Sequence, residues 1–181
     1  MNIAAWIHPA VEMRPSPIAG MGMFARRTIL AGEIVIIWGG VVFSLQEIQA
    51  GKADPDTIAV LDEGLYLADP CDAPTQDDYS LTHSCDPNRW MQDDRTLAAR
   101  REIPPGKELT ADYALWLYGV EWSLDPCRCG SGLCRGRVTA QDWQLPELQS
   151  RYAGHFTPLI NRLILQMSSQ TPFSRREACE S

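Results

Sequence analysis

Three cysteines fall within eight residues, Cys127-Arg128-Cys129-Gly130-Ser131-Gly132-Leu133-Cys134, and no other feature limits the fold of this chain as tightly. Gly130 and Gly132 let the backbone turn sharply between the thiols, so all three can reach one centre. Three thiolates leave a tetrahedral zinc ion one ligand short, and the fourth has to come from elsewhere. The candidates are Cys71, Cys85, Cys179 and the three histidines His8, His83 and His155, and spacing alone does not choose among them. Because the other three cysteines stand apart, the pattern favours a metal over a disulfide framework. Arg128, Arg135 and Arg137 flank the cluster, and their charge would offset the surplus negative charge of a thiolate-rich site. A closed, all-cysteine site is structural, since it keeps no open position for catalysis.

The rest of the composition narrows the class. A chain of 181 residues that is 45% apolar can bury one substantial core, but a second full-size domain is not expected. Its 16 basic and 23 acidic residues give a net charge of −7, the wrong sign for holding nucleic acid through phosphate neutralisation and a better match to a basic partner. An acidic surface also simply keeps a protein in solution. No apolar run is long enough to cross a bilayer, and the opening MNIAAWIHPAVEMRP lacks a basic region followed by a long apolar stretch. The expectation is a soluble, cytoplasmic protein without membrane contact.

Up to about Tyr118 the chain reads as short strands between Gly/Pro turns. Gly32 to Trp38 is a β-branched run closed by Gly39-Gly40, two extended stretches flank Asp93-Asp94 between Arg89 and Arg100, and a further strand is expected over Lys107 to Ala111. The helix signal in this part is short: Ser44 can cap, Glu47 follows three residues on, and Gly51 is a stop. After the cysteines the texture turns helical. Pro146 suits a first helical position, and Thr157-Pro158 opens a segment in which Leu159, Ile160, Leu163, Ile164 and Met167 form one apolar stripe, expected to pack on the strand-rich body. The end of the chain, from Ser168, is polar and expected to fray. The fold class expected is mainly β with short helices.

Four segments, in this order, resemble the SET lysine methyltransferase family. Ala19-Gly20-Met21-Gly22-Met23-Phe24-Ala25 is similar to the family's GxG loop, although a lone GxG is by itself only a turn. Tyr66-Leu67-Ala68-Asp69 looks like the YxxD strand. Leu81-Thr82-His83-Ser84-Cys85-Asp86-Pro87-Asn88 is close to NHSCDPN and is the most specific of the four. Gly106-Lys107-Glu108-Leu109-Thr110-Ala111-Asp112-Tyr113 is similar to GEELTxDY, and the downstream CxC-x4-C with Arg135-Gly136 matches the post-SET motif.

The resemblance implies a SET-type β-fold over residues 10–119, with a pseudoknot in which the strand ending at Tyr113 threads under the segment carrying His83. It implies a post-SET zinc motif over 123–138 with Cys85 as fourth ligand to Cys127, Cys129 and Cys134, then a helical extension over 140–168 and a frayed tail over 169–181. It further implies S-adenosylmethionine at Ala19, Gly20, Met21, Gly22, Thr82 and His83, a lysine channel walled by Tyr66, Ala111 and Tyr113, and Tyr113 as the catalytic residue. The activity implied is methyl transfer to a lysine side chain of a protein substrate. The lysine must arrive neutral, and a narrow aromatic channel favours the uncharged amine by removing water. The partner expected is a basic protein, with no direct nucleic acid contact, and the apolar stripe of the helical tail can dock on its own chain or on a second copy as a homo-oligomer.

His83 on its own reads as a hydrogen-bonded core histidine rather than a base, and Asp112 and Tyr113, as neighbours in a strand, point to opposite faces. Three departures from the family stand out: Thr82 replaces the usual Asn, Ala111 replaces a frequent aromatic that limits how many methyl groups fit, with Trp116 or Tyr118 able to fill the space, and Asp77 to Ser80 lacks the usual Arg-Phe. The main rival reading is a SET-like binding module that keeps the zinc staple and has lost turnover, with Thr82 as its sign. A zinc hydrolase would need an open site with histidine and carboxylate ligands, and the three histidines are widely scattered.

Overall fold

A computed structural model describes residues 2–74 and 80–170 of the chain. Short strands dominate. In chain order they are β1 (Asn2–Ile3), β2 (Trp6–Ile7), β3 (Val11–Pro15), β4 (Met21–Ala25), β5 (Ile34–Ile37), β6 (Gly40–Ser44), β7 (Ala59–Asp62), β8 (Leu65–Ala68), β9 (Thr82–His83), β10 (Arg89–Met91), β11 (Thr96–Ala99), β12 (Thr110–Ala111), β13 (Ser123–Leu124) and β14 (Val138–Thr139). Helices α1 (Leu45–Gln49), α2 (Pro146–Arg151) and α3 (Pro158–Gln170) complete the set. The strands form two four-stranded sheets, ordered β1-β6-β8-β7 and β10-β11-β5-β2, and three two-stranded ribbons, β3-β4, β12-β9 and β13-β14.

The β-branched run predicted as a strand is β5, central in its sheet, with Val35 and Ile36 fully buried. The stretches flanking Asp93-Asp94 are β10 and β11, paired antiparallel with Trp90 opposite Ala98. The short helix sits where its cap signals put it. Ser44 and Glu47 form a complete capping box around α1, and the chain leaves through Gly51 at φ +70°, with Gly51 N–H bonding Ile48 O and Lys52 N–H bonding Glu47 O.

The segment from Lys107 to Asp112 runs between two neighbours. On one side it bonds β4, through Ala25 N–H to Lys107 O (3.0 Å) and Leu109 N–H to Met23 O (2.8 Å). On the other side β12 pairs with β9 in parallel, Thr110 opposite Thr82 and Ala111 opposite His83. Asn88 locks the crossing. Its amide donates to Glu108 O (2.7 Å) and its carbonyl accepts Thr110 N–H (2.8 Å), while buried Arg89 donates to Leu109 O (2.9 Å). This is the expected pseudoknot, a threading that few folds adopt.

The main hydrophobic cluster joins the strand-rich body to the helical extension. Val35, Met91, Leu97 and Leu109 of the strand-rich body share it with Trp143, Leu148, Tyr152, Phe156 and Ile160 of the helical extension. The apolar stripe of α3 packs as far as Ile164, while Met167 is 42% exposed and Leu165 70% exposed as the helix runs past the body. Two strands were not anticipated from sequence: β13 and β14 form a ribbon that brackets the cysteine loop, each only two residues long and so without periodicity to read. Cys179, the polar end from Thr171 and the Asp77–Tyr79 part of the segment without Arg-Phe lie outside the described residues.

Candidate active site

The sulfurs of Cys85, Cys127, Cys129 and Cys134 all lie within 4.8 Å of one another, with Cys85 and Cys127 at 4.0 Å. A tetrahedral ion with metal–sulfur bonds of about 2.3 Å separates its sulfurs by roughly 3.8 Å, so small side-chain adjustments close this set around one zinc ion. Among the described residues the fourth thiol is therefore Cys85, and Cys71 lies exposed outside the group. Burial pushes the Cys85 thiol far up and that of Cys127 up to about 11. Burial also works against ionisation of Cys129, but backbone hydrogen bonds at Cys85 and Ser131 outweigh it and bring this thiol down to about 7. Four thiols with no histidine or carboxylate among them suit a closed structural centre.

From Cys85 the chain leads directly to Tyr113. His83, two residues earlier and buried, has Nε2 3.3 Å from Cys85 Sγ, while its Nδ1 accepts the backbone N–H of Tyr113 at 3.4 Å. That acceptor role puts the ring proton on Nε2, facing the sulfur. Burial holds the imidazole down to about 4, against the pull of Asp112, so the ring is neutral at physiological pH. His83 is thus a strut between the thiol cluster and the backbone of Tyr113.

Tyr113 opens a short 3-10 turn (Tyr113–Leu115) that Asp112 caps by accepting Ala114 N–H (3.1 Å). Its hydroxyl donates to the carbonyl of Leu81 in a short hydrogen bond. Burial pushes the phenol up to about 12, so it stays protonated. Aromatic rings surround it: Trp116 at 5.3 Å and Trp122 at 5.4 Å between centroids, with Trp38 packed edge-on to Trp116 at 5.2 Å.

Two cavities meet at this residue. The first, about 490 Å³, is lined by Trp38, Trp116, Trp122 and the residues from Pro55 to Val60. The second, about 470 Å³, is lined by Ile18, Ala19, Thr82, His83 and the zinc-loop residues Asp125–Cys129. Leu81, Tyr113 and Trp122 line both, so the two spaces adjoin at these three residues. A third cavity, more polar, runs from Pro17 and Ile18 past Asn88 and Glu108 to Cys129–Gly132.

The other residues singled out from sequence sit as follows. Ala19, Thr82 and His83 line the second cavity, whereas Gly20 turns the β3-β4 hairpin at φ +55° and Met21 and Gly22 start β4 outside that lining. Gly22 has a steric reason: a Cβ there would stand 2.2 Å from Glu108 Oε1, the oxygen that accepts the Thr82 hydroxyl at 2.6 Å. Tyr66 lies in β8 opposite Phe43 and Val60, and Ala111 is fully buried in β12; neither lines the three cavities. Trp116 lines the first cavity, while Tyr118 packs on Trp143. Sequence reasoning missed Trp38, Leu81 and Trp122. A single aromatic or apolar residue gives no local sign of whether it lines a cavity or fills a core.

A SET domain family model matches residues 20–114. The chain is 32% identical over 138 residues to a histone-lysine N-methyltransferase, H3 lysine-4 specific, of Cryptococcus neoformans, covering 67% of this chain and 9% of that protein. It is also 32% identical over 142 residues to human histone-lysine N-methyltransferase 2B, covering 70% of this chain and 5% of that one, so it spans less than a tenth of these relatives. Among solved structures, KRYPTONITE in complex with mCHG DNA and SAH superposes with a TM-score of 0.55 at 25% identity over 70% of this chain and 28% of that one. Arabidopsis thaliana SUVH6 in complex with SAM does so with a TM-score of 0.58 at 18% identity, over 72% and 33%. With the family match extending from the GxG hairpin through the threaded strand to the turn of Tyr113, the chain belongs to the SET-domain family.

Proposed function

We propose that this chain is an S-adenosylmethionine-dependent protein-lysine N-methyltransferase. The observation that carries the reading is the wall of Leu81, Tyr113 and Trp122 shared by two cavities, which suits a reaction whose two substrates approach from opposite sides. The relatives named as histone-lysine N-methyltransferases and the neighbours solved with SAM or SAH support it. Ala19, Thr82 and His83 would bound the cofactor on one side, and Trp38, Trp116 and Trp122 the lysine on the other. S-adenosylmethionine supplies a methyl group on a sulfonium. The residues of this chain supply position and dryness.

A lysine in water is protonated at neutral pH and has no lone pair to offer. An aromatic tunnel strips water from the ammonium and favours the neutral amine. The Tyr113 hydroxyl spends its proton on the Leu81 carbonyl, so its oxygen is left to accept an N–H of the amine and aim the nitrogen lone pair through the wall. The amine gives up one proton to solvent before transfer; its lone pair then forms the N–CH3 bond as the S–CH3 bond breaks, which would leave a methylammonium on the lysine and the neutral thioether S-adenosylhomocysteine. An acidic chain of net charge −7 suits a basic protein substrate.

Transfer of labelled methyl from S-adenosylmethionine to a basic protein mixture tests the reading. Tyr113→Phe is expected to retain cofactor binding and lose at least about 100-fold in kcat, on the scale of a lost transition-state hydrogen bond. Full activity in Tyr113→Phe would remove the proposed role. The rival reading, a binding module, has one observation in its favour: the Thr82 hydroxyl is engaged with Glu108 rather than free for a ligand. Calorimetry with S-adenosylmethionine decides between them, since no heat of binding would favour the module.

A further inference from the structure

Arg135 follows the last cysteine of the cluster and joins the cysteine loop to two carboxylates near the site. Its backbone N–H donates to Cys85 Sγ (3.4 Å). Its guanidinium grips Asp112 with two nitrogens, Nη1 to Oδ2 at 2.7 Å and Nη2 to Oδ1 at 2.8 Å, and donates from Nε to Asp142 Oδ2 at 2.8 Å. Asp112 is fully buried. Its carboxylate also accepts Ala114 N–H, which starts the turn carrying Tyr113, and the hydroxyl of Tyr152 (3.2 Å).

A carboxylate buried to this degree needs a paired cation, and only the planar fork of arginine meets both its oxygens at once. That fork is held from the other side by the cysteine loop, and nothing in the geometry of Asp112 requires its partner to come from there. We propose that Arg135 is a positioning residue through which the metal-loaded loop holds the Tyr113 turn against the channel wall. The proposal rests on the reading of Tyr113 as the residue at the transfer site. His83 makes a second link from Cys85 to the Tyr113 backbone, but it is a neutral ring with one long contact at each end, whereas Arg135 makes two short charge-assisted hydrogen bonds to Asp112.

Arg135→Lys keeps the charge and removes the fork, and it is tested in the full chain loaded with zinc. The expected result is one zinc per chain as in the unmodified protein, kcat lower by at least about tenfold with KM for the protein substrate within about threefold, and amide exchange at Ala114 faster by at least about tenfold. A side chain that only stabilises the fold would lower the melting temperature and leave kcat and Ala114 exchange in place. Unchanged kcat with zinc retained overturns the proposal, and so does loss of zinc from the variant, because Arg135 would then act on the metal loop alone.

If Arg135→Lys does not accumulate folded, the unmodified chain answers the same question. Stripping zinc with a chelator must speed exchange at Ala114 in step with metal loss, and no change there overturns the link. An unmodified chain that transfers no methyl group, yet shows this coupling, would defeat the enzymatic reading and leave the link from loop to turn standing.

Discussion

Asn88 shows how much a single side chain can carry in a fold of very short strands. Its amide replaces ladder bonds that β9 and β12, two residues each, are too short to make, and it satisfies one backbone acceptor and one backbone donor of the threaded segment. Asn88→Ala would orphan both groups at a site 4% exposed, and with each costing about 1–3 kcal/mol the loss expected is roughly 2–6 kcal/mol, read from urea unfolding. At Tyr113 the consequence is a pH dependence. Its phenol, pushed up to about 12 from an ordinary value of 10, favours the neutral form when folded. The corresponding stability is fully present below pH 10 and lost as pH rises from 10 towards 12. Between pH 7 and 10 the rate is therefore expected to rise with deprotonation of the substrate lysine, with no falling limb from Tyr113, and a pH–rate profile of kcat checks this. His83 was read as a core histidine on the cofactor side, and the strut it forms between Cys85 and Tyr113 was not visible in sequence, because both partners are decided by the threading.

In the β3-β4 hairpin a glycine answers to a partner far away in sequence. As a motif, Ala19 to Gly22 is a turn followed by a small residue, and nothing local says why the second glycine is there. Its reason lies 86 positions away, in the Glu108 carboxylate that occupies the space a Cβ would take and bonds Thr82. Gly22→Ala is expected to push Glu108 aside, break the Thr82–Glu108 bond and cost about 1–3 kcal/mol, with weaker S-adenosylmethionine binding, measured by thermal melting and calorimetry. The helix α1 is the opposite case: Ser44, Glu47 and Gly51 are all local signals, and all act as read. The β13-β14 ribbon was missed because two-residue strands carry no period.

At the scale of the whole molecule, the helical extension is part of the same core as the strand-rich body. Phe156, 2% exposed, sits between α2 and α3, and Thr157 donates its N–H to Leu115 O (2.9 Å), in the turn that begins at Tyr113. Phe156→Ala is expected to cost about 3–5 kcal/mol and to lower the stability of the body and extension together. Unfolding followed by tryptophan fluorescence and by far-UV circular dichroism should give coincident transitions, and separate transitions would show that the extension folds alone.

Sequence alone determined what depends on neighbours in the chain: the β-branched strand β5, the capped helix α1, the proline-started helices, and the capacity of Cys127, Cys129 and Cys134 to share one centre. It also carried the family motifs in order, and with them the expectation that Cys85 completes the cluster. Only the tertiary structure decided which aromatic rings surround Tyr113, why Gly22 is a glycine, and that Arg135 reaches Asp112. The physical reason is the same in each case. These contacts join residues far apart in sequence that meet only once the segment from Lys107 to Asp112 has passed under the loop of Cys85, and a pairing made by threading leaves no local pattern to read.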